Sequence, residues 1–182
     1  MEMPPQWDEA RLKCSILGRC YPLDGVRNDA RAGDRPRGQF DGANVLIAED
    51  VSCIAWLICE ILTEGGYDIV GPAASTRIAA ELIAKRRVDA ALLDVGLTDG
   101  PSFSLAESLA ARGIPFAFTT GCGPDEIPLH LRDRPIIGKP MDLESLLNVT
   151  RELCRPASQR EAVISEKGRY IASRLPAAAD SA

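Results

Sequence analysis

The sequence predicts an α/β fold, a doubly wound five-stranded parallel sheet with helices on both faces. Short apolar runs of strand length alternate with helical patterns of about three turns, as in repeated βαβ units. Right-handed crossovers then place the helices on both faces of the sheet. One run, residues 88–96, is typical of a strand buried on both faces and carries Asp94 near its far end. Open α/β sheets bind their ligands at this end of the strands, although Asp94 taken alone also fits the start of a turn.

The elements follow one another from residue 44. The predicted strands are residues 45–48, 67–72, 88–94, 114–120 and 135–138. The predicted helices are residues 51–64, a helix capped by Ser75, residues 102–112, and a last helix capped by Asp142. Helical spacing predicts the following inward-facing side chains: Val51, Ile54, Ala55, Leu57, Ile58, Ile61 and Leu62 in the first helix; Ile78, Ala79, Leu82 and Ile83 in the second; Leu105, Ala106 and Leu109 in the third; Leu143, Leu146, Leu147 and Leu153 in the last.

Three segments divide the chain. Residues 1–42 are predicted to be a disordered or weakly ordered arm, because Arg, Asp, Gly and Pro dominate its second half without an apolar period. Residues 43–154 form the predicted domain, and residues 155–182 a tail that is partly helical at most. Within the domain, two prolines and a glycine in residues 122–132 leave room for little more than one turn of helix between the fourth and fifth predicted strands.

Composition excludes several classes of protein. The net charge of −5 argues against a chain built mainly to hold nucleic acid. No run approaches the roughly 18 apolar residues of a membrane span, and the first residues lack the basic start and apolar core of a signal peptide, so we expect a cytoplasmic protein. The six cysteines form no C-x-x-C pair, and His130 is the only histidine, which favours reduced thiols over a zinc site.

Polar residues follow the predicted strands at the ends that should meet. Glu49 and Asp50 follow the first strand, Asp94 ends the third, Thr120 ends the fourth, and Lys139 follows the fifth. Two carboxylates about 5 Å apart repel by roughly 3 kcal/mol at an effective dielectric near 20, so three of them require a cation. Oxygen ligands of this kind suit Mg²⁺. Lys139 and Thr120 add a positive charge and a hydroxyl donor, which together predict a cradle for a phosphoryl group.

Each of these residues also has an ordinary structural interpretation. Glu49 and Asp50 fit a helix cap, Thr120 a strand residue, and Lys139 a solvated surface side chain. Their occurrence together, in this order and at strand ends, favours the site.

At these residues the chain resembles the receiver domain of two-component response regulators. The resemblance covers residues 43–154 and rests on Val45–Asp50, Leu92–Asp94, Phe118–Gly121 and Gly138–Pro140. It implies a flavodoxin-like receiver fold in which Asp94 is the phosphoacceptor and Glu49, Asp50, Asp94 and the carbonyl of Gly96 hold Mg²⁺. It further implies that Lys139 pairs with the phosphoryl oxygens beside a cis Lys-Pro bond, and that Thr120 is the switch hydroxyl. A phosphohistidine of a sensor histidine kinase or histidine phosphotransfer protein would be the donor.

The sequence also departs from the receiver pattern. Ile136 stands three residues before the lysine, where receivers usually carry an aromatic residue. Residues 116–121 resemble an alphaproteobacterial receiver subgroup with a Phe-Ala-Thr-Gly-aromatic signature, with Thr119 in place of Ala and Cys122 in place of the aromatic. His130 is not expected to be a phosphodonor, because it falls in a loop with no predicted basic or carboxylate partner.

We therefore expect a stand-alone signalling receiver rather than an enzyme, acting by protein contacts, without nucleic acid or membrane. An outward face of the first helix, made by Ser52, Trp56, Cys59, Glu60 and Thr63, is a candidate for docking the donor protein or for dimerisation.

Two alternatives to a signalling receiver remain. A phosphatase-type enzyme also uses an Asp at a strand end, but such enzymes resemble one another in a second Asp where this chain has Gly96. A pseudo-receiver would keep the fold without phosphorylation.

Overall fold

A computed structural model of the chain describes residues 42–156 and, by their backbone, residues 170–171. Its helices are Ser52–Glu64 (α1), Thr76–Lys85 (α2), Phe103–Ala111 (α3) and Leu143–Cys154 (α4). Its strands are Asn44–Ala48 (β1), Asp68–Ala73 (β2), Ala90–Asp94 (β3), Gly96–Leu97 (β4), Gly100–Pro101 (β5), Phe116–Thr120 (β6), Ile136–Gly138 (β7) and Tyr170–Ile171 (β8). None of the helices in these ranges has the length and apolarity to cross a membrane.

The main sheet has the strand order β2-β1-β3-β6-β7-β8, and all of its pairs are parallel. The chain leaves β1 toward β2 on one side and returns to β3 on the other, so the strand order reverses at β1. The doubly wound parallel sheet that the sequence predicted is therefore confirmed. Such a reversal opens a crevice beyond the carboxyl ends of the two central strands, β1 and β3.

The sequence did not predict β8. Tyr170 and Ile171 pair with Ile136 and Ile137 and add a sixth parallel strand, although the tail was expected to be partly helical at most. A two-residue strand is too short to show the alternating pattern by which strands are recognised in a sequence. Of the predicted arm, residues 1–42, all but the last residue lies outside the described residues, as does most of the tail, so the limits of the domain stay a prediction.

Side chains of β1 alternate between two apolar layers, one on each face of the sheet. Leu46 and Ala48 belong to a core with Ala79 of α2 and residues of α3, whereas Val45 and Ile47 belong to a core with residues of α1 and α4. All four β1 side chains are almost fully buried. The alternation follows from the period of two along a strand, and it fixes the register that brings Glu49 to the end of the sheet.

Four side chains predicted to face the core are exposed instead. Val51 is the cap residue that precedes α1, Leu143 is the first residue of α4, and Leu57 and Ile78 lie outside the buried stripes of α1 and α2. The buried residues of α1 are Ala55, Ile58 and Leu62, a narrower stripe than the apolar sequence suggested.

The predicted outward face of α1 is also partly wrong. Cys59 packs against the core shared with α4, and Trp56 is half-buried. The indole Nε1 of Trp56 is buried without a hydrogen-bond partner in the described part of the chain.

Between β6 and β7, where the sequence predicted that a fourth helix would be short or irregular, the chain makes two 3-10 turns, Pro124–Glu126 and Leu129–Leu131. Arg132 fastens the first turn, since its Nε donates to the Ile127 carbonyl at 2.6 Å and its guanidinium also donates to the Asp125 carbonyl at 2.8 Å. Ile127 and Leu131 are buried in the core. This segment is therefore anchored by packing and by one arginine, without a regular helix.

Candidate functional site

The strand register brings the predicted site residues to one edge of the sheet. Glu49 and Asp50 follow β1, which pairs with β3, so Ala48 lies beside Leu93 and the two acidic residues come next to Asp94. One carboxylate oxygen from each of Glu49, Asp50 and Asp94 lies within 4.8 Å of the others. The structure thus brings together the three carboxylates that the sequence predicted as metal ligands.

Lys139 joins two of these carboxylates. Its Nζ donates a hydrogen bond of 2.7 Å to Oε2 of Glu49 and another of 2.7 Å to Oδ2 of Asp94. The side chains are largely removed from water: the exposed fraction is 16% for Lys139, 0% for Glu49 and 12% for Asp94. Buried charges persist only when they are paired and hydrogen-bonded, and Lys139 meets this requirement for both carboxylates.

This pairing shifts the ionisation of both partners. Burial raises the pKa of Glu49, and the negative charge of Asp94 adds to this effect, although the hydrogen bond from Lys139 opposes it. Burial alone would lower the pKa of Lys139, but its hydrogen bonds to Asp94 and Glu49 outweigh burial and raise the pKa above its usual value. Lys139 is therefore an ammonium group at neutral pH.

The charge that remains matches a divalent cation. With all groups ionised, three carboxylates and one ammonium leave a formal charge of −3 + 1 = −2 at the cluster. Oxygen donors with few protein ligands are the set that Mg²⁺ accepts, since it keeps several waters. The residues present therefore fit the metal that the sequence predicted. Gly96 begins β4 two residues after Asp94 and is exposed, and the role of its carbonyl stays a prediction.

Thr120 connects the site to the segment that follows β6. Its side chain is buried, and its Oγ1 accepts a hydrogen bond of 3.0 Å from the Cys122 amide. Its backbone carbonyl accepts a 2.7 Å hydrogen bond from the Lys139 amide, so Thr120 and Lys139 are held side by side. The Lys139–Pro140 peptide bond is cis.

One group near the site was missed by the sequence analysis. The sequence predicted neither strand nor helix in residues 97–101, yet residues 96–101 form a hairpin of β4 and β5 whose turn residues are Thr98 and Asp99. The Asp99 carboxylate accepts hydrogen bonds from the Thr76 amide at 2.8 Å, the Thr76 hydroxyl at 2.8 Å and the Arg77 amide at 3.1 Å. The Thr-Asp-Gly turn was a signal of the hairpin, but nothing in the sequence showed that its Asp would bind the start of α2.

The fold resembles that of proteins of known structure. SdrG from Sphingomonas melonis Fr1 is 34% identical with a TM-score of 0.56, and the match covers 63% of this chain and 98% of that one. The receiver domain of the PhyR response regulator from Erythrobacter litoralis is 28% identical with a TM-score of 0.56, over 64% and 92% of the two chains. The HemR receiver domain from Leptospira biflexa is 27% identical with a TM-score of 0.54, over 63% and 98%. This chain belongs to the response regulator receiver family.

The chain also has relatives among proteins compared by sequence. The transcriptional regulatory protein PdtaR of Mycobacterium tuberculosis is 30% identical over 107 residues, which cover 57% of this chain. The chain spans about half the length of these curated relatives, 52%. No family model matches the chain. The resemblance to receivers is therefore confirmed by whole-domain structural matches, while the Phe-Ala-Thr-Gly subgroup stays a prediction.

Two structural observations concern positions that the sequence analysis singled out, Ile136 and His130. Ile136 is almost fully buried in the core, so an aliphatic side chain fills the position where receivers usually carry an aromatic residue. His130 does have a carboxylate partner, contrary to the sequence analysis, because its Nε2 lies 2.9 Å from Oε1 of Glu107 on α3. Both side chains are exposed, and this pair joins the second 3-10 turn to α3, a contact between distant parts of the sequence.

Proposed function

We propose that this receiver domain accepts a phosphoryl group on Asp94 from a phosphohistidine of a sensor histidine kinase or histidine phosphotransfer protein. It then passes the signal on by protein contact, with a downstream protein or a second copy, in the cytoplasm. The observation that carries the proposal is the pairing of Lys139 with Asp94 at the end of β3, beside two further carboxylates. A buried acceptor with a fixed cation beside it is the arrangement that phosphoryl transfer needs.

The transfer is a displacement at phosphorus. A carboxylate oxygen of Asp94 forms the new P–O bond while the P–N bond to the donor imidazole breaks, and its electron pair stays on the imidazole nitrogen. Oδ2 of Asp94 is held by Lys139, so that carboxylate is oriented before the donor arrives. Lys139 then balances negative charge on the phosphoryl oxygens.

Glu49, Asp50, Asp94 and the Gly96 carbonyl would hold Mg²⁺. When bound, the ion neutralises charge on the transferring phosphoryl group. Before it binds, Lys139 is the cation that the described residues supply to Glu49 and Asp94. Its two hydrogen bonds keep these carboxylates close together in spite of their like charge.

Thr120 would report the new phosphoryl group to the surface. Its hydroxyl accepts from the Cys122 amide in the structure, and rotation toward a phosphoryl group on Asp94 would release that amide. The 3-10 segment begins two residues after Cys122, so a change at Thr120 would reach the surface that this segment forms. Ile136 is already buried in the core and offers no aromatic ring that could rotate with the switch.

The test is incubation with Mg²⁺ and acetyl phosphate, followed by intact mass, on the wild type and Asp94→Asn. We expect a phosphate-sized gain in the wild type only, and none without Mg²⁺. No gain, even with a phosphorylated histidine kinase as donor, would favour the pseudo-receiver. Rapid consumption of acetyl phosphate without a lasting adduct would favour the phosphatase-type enzyme, although Gly96 offers no side chain to act as its acid.

A further inference from the structure

The acceptor hairpin, residues 96–101, is fixed at its tip to a neighbouring helix. Thr98 and Asp99 form the turn between Leu97 and Gly100, which pair with each other. The Thr98 amide and hydroxyl both donate to the Ala74 carbonyl, at 3.0 and 2.8 Å. Asp99 accepts from the amides of Thr76 and Arg77 and from the Thr76 hydroxyl. Three hydrogen bonds therefore join Asp99 to the first residues of α2, and two more join Thr98 to Ala74, two positions before the helix.

The chemistry of this contact favours a carboxylate at position 99. The first amides of a helix have no partner within the helix, and their dipoles attract negative charge. The hydrogen bonds from the Thr76 amide and hydroxyl lower the pKa of Asp99, so the carboxylate is ionised at neutral pH. The α2 helix already has its own cap, because Ser75 Oγ accepts from the Ile78 amide. Asp99 thus adds a second, external cap that links the helix to the hairpin.

The base of the same hairpin adjoins the acidic cluster. Gly96 lies two residues after Asp94 and pairs with Pro101. The Ser102 amide donates to the Val95 carbonyl at 3.0 Å and closes the base of the hairpin. Leu97 is buried in the core between these points. The backbone at Gly96 is therefore fixed on one side by β3 and on the other by a hairpin whose tip is held by Asp99.

We propose that Asp99 is a positioning residue for the metal centre, which holds the Gly96 backbone beside the carboxylates by fastening the hairpin tip to α2. This role rests on the proposed function, in which the Gly96 carbonyl is a ligand. Asp99 itself contacts neither the acceptor nor the carboxylates. Residues that contact a metal ligand, and not the metal, often fix the orientation of that ligand before the ion binds, and Asp99 would act in the same way on the hairpin.

The test compares Asp99→Ala with Ser75→Ala in the full chain. Both variants remove a cap of α2, but only the first removes hydrogen bonds between α2 and the hairpin, three of the five at its tip. We expect Asp99→Ala to weaken Mg²⁺ binding, measured by calorimetry, by about tenfold, and Ser75→Ala to leave the dissociation constant unchanged. Asp99→Asn keeps one acceptor oxygen and should fall between the wild type and Asp99→Ala. Thermal melts without metal measure the stability that each variant loses.

Hydrogen exchange of the Ser102 amide, measured without metal, gives a second reading. Asp99→Ala should speed its exchange and Ser75→Ala should not, since this amide lies at the base of the hairpin. Equal effects of both variants on exchange and on Mg²⁺ affinity would reduce Asp99 to a helix cap and overturn the proposal. Faster exchange with unchanged Mg²⁺ affinity would also overturn it.

If the wild type binds no Mg²⁺, the proposed function fails, and with it the coupling to a metal. Hydrogen exchange then still decides whether Asp99 holds the hairpin. An unchanged Ser102 amide in Asp99→Ala would show that it does not.

Discussion

Lys139 and Asp94 are joined by a hydrogen bond of 2.7 Å between residues 45 positions apart in the sequence. The same Nζ reaches Glu49 at an equal distance, so one ammonium group donates hydrogen bonds to two buried carboxylates. The phosphoacceptor proposed here is therefore oriented by the residue that would also receive the phosphoryl charge. The stability of the metal-free fold and the orientation of the proposed acceptor therefore both depend on the Lys139–Asp94 ion pair.

Replacement of Lys139 by Met should destabilise the metal-free protein. It leaves two buried carboxylates without their cation, and the loss of one partner of a buried pair costs about 3 kcal/mol. Urea unfolding in EDTA measures the change. Lys85→Met is the matched control, since Lys85 is exposed and 3.8 Å from Glu81, a contact worth little. Addition of Mg²⁺ should restore part of the stability of Lys139→Met, and equal stability of the two variants in EDTA would contradict the pairing.

Replacement of Asp50 by Asn should have the opposite effect without metal. It removes one of three neighbouring carboxylates and relieves their repulsion, which raises the free energy of unfolding by roughly 1 kcal/mol in EDTA. The same change removes a proposed Mg²⁺ ligand, so Mg²⁺ should stabilise the variant less than the wild type. Urea unfolding with and without Mg²⁺ measures both effects. A variant that Mg²⁺ stabilises as much as the wild type would exclude Asp50 as a ligand.

Glu49 should make stability depend on pH in a defined direction. Its pKa is raised above 4.5 in the folded protein, mainly by burial, so the folded state holds this proton more tightly than the unfolded state. Its contribution is complete below the unfolded pKa and is lost as pH rises through the folded pKa.

Above pH 4.5 the free energy of unfolding should therefore fall more steeply with pH in the wild type than in Glu49→Gln, which cannot titrate. Denaturant unfolding in EDTA from pH 4 upward measures the difference. Parallel curves for the two proteins would show that Glu49 has an ordinary pKa.

Replacement of Thr120 by Val should uncouple the proposed switch from phosphorylation. In the wild type, phosphorylation should release the Cys122 amide from Thr120 Oγ1 and speed its hydrogen exchange. In Thr120→Val this amide has lost its hydroxyl acceptor from the start, so its exchange should be fast and should not change. Thr120→Ser keeps the hydroxyl and should behave as the wild type. An equal response in Thr120→Val would place the switch elsewhere.

The position of the candidate site could be predicted from the sequence because it follows from the topology of the sheet. Parallel strands end at the same edge, so Glu49, Asp94, Thr120 and Lys139 could be placed together from their positions after apolar runs. The caps Ser75 and Asp142 were likewise predicted, and each accepts a hydrogen bond from the first turn of its helix.

Contacts between elements were beyond the sequence pattern. Asp99 binds α2 because the hairpin folds back onto it, and His130 meets Glu107 because a 3-10 turn packs beside α3. The spacing of residues along the sequence predicts neither of these two contacts. Leu57 and Ile78 were assigned to the core since an apolar residue near a helical stripe fits the pattern, yet the stripe that the sheet covers is narrower.

The sixth strand has a consequence for shortened forms of the protein. Tyr170 and Ile171 occupy the backbone edge of Ile136 and Ile137, the strand that leads into Lys139. A fragment cut at Cys154 would leave that edge unpaired, and an unpaired edge is a template for strands of other molecules. Shortening the protein to its apparent domain would thus favour self-association beside the lysine, and the association would be a product of the cut rather than a property of the receiver.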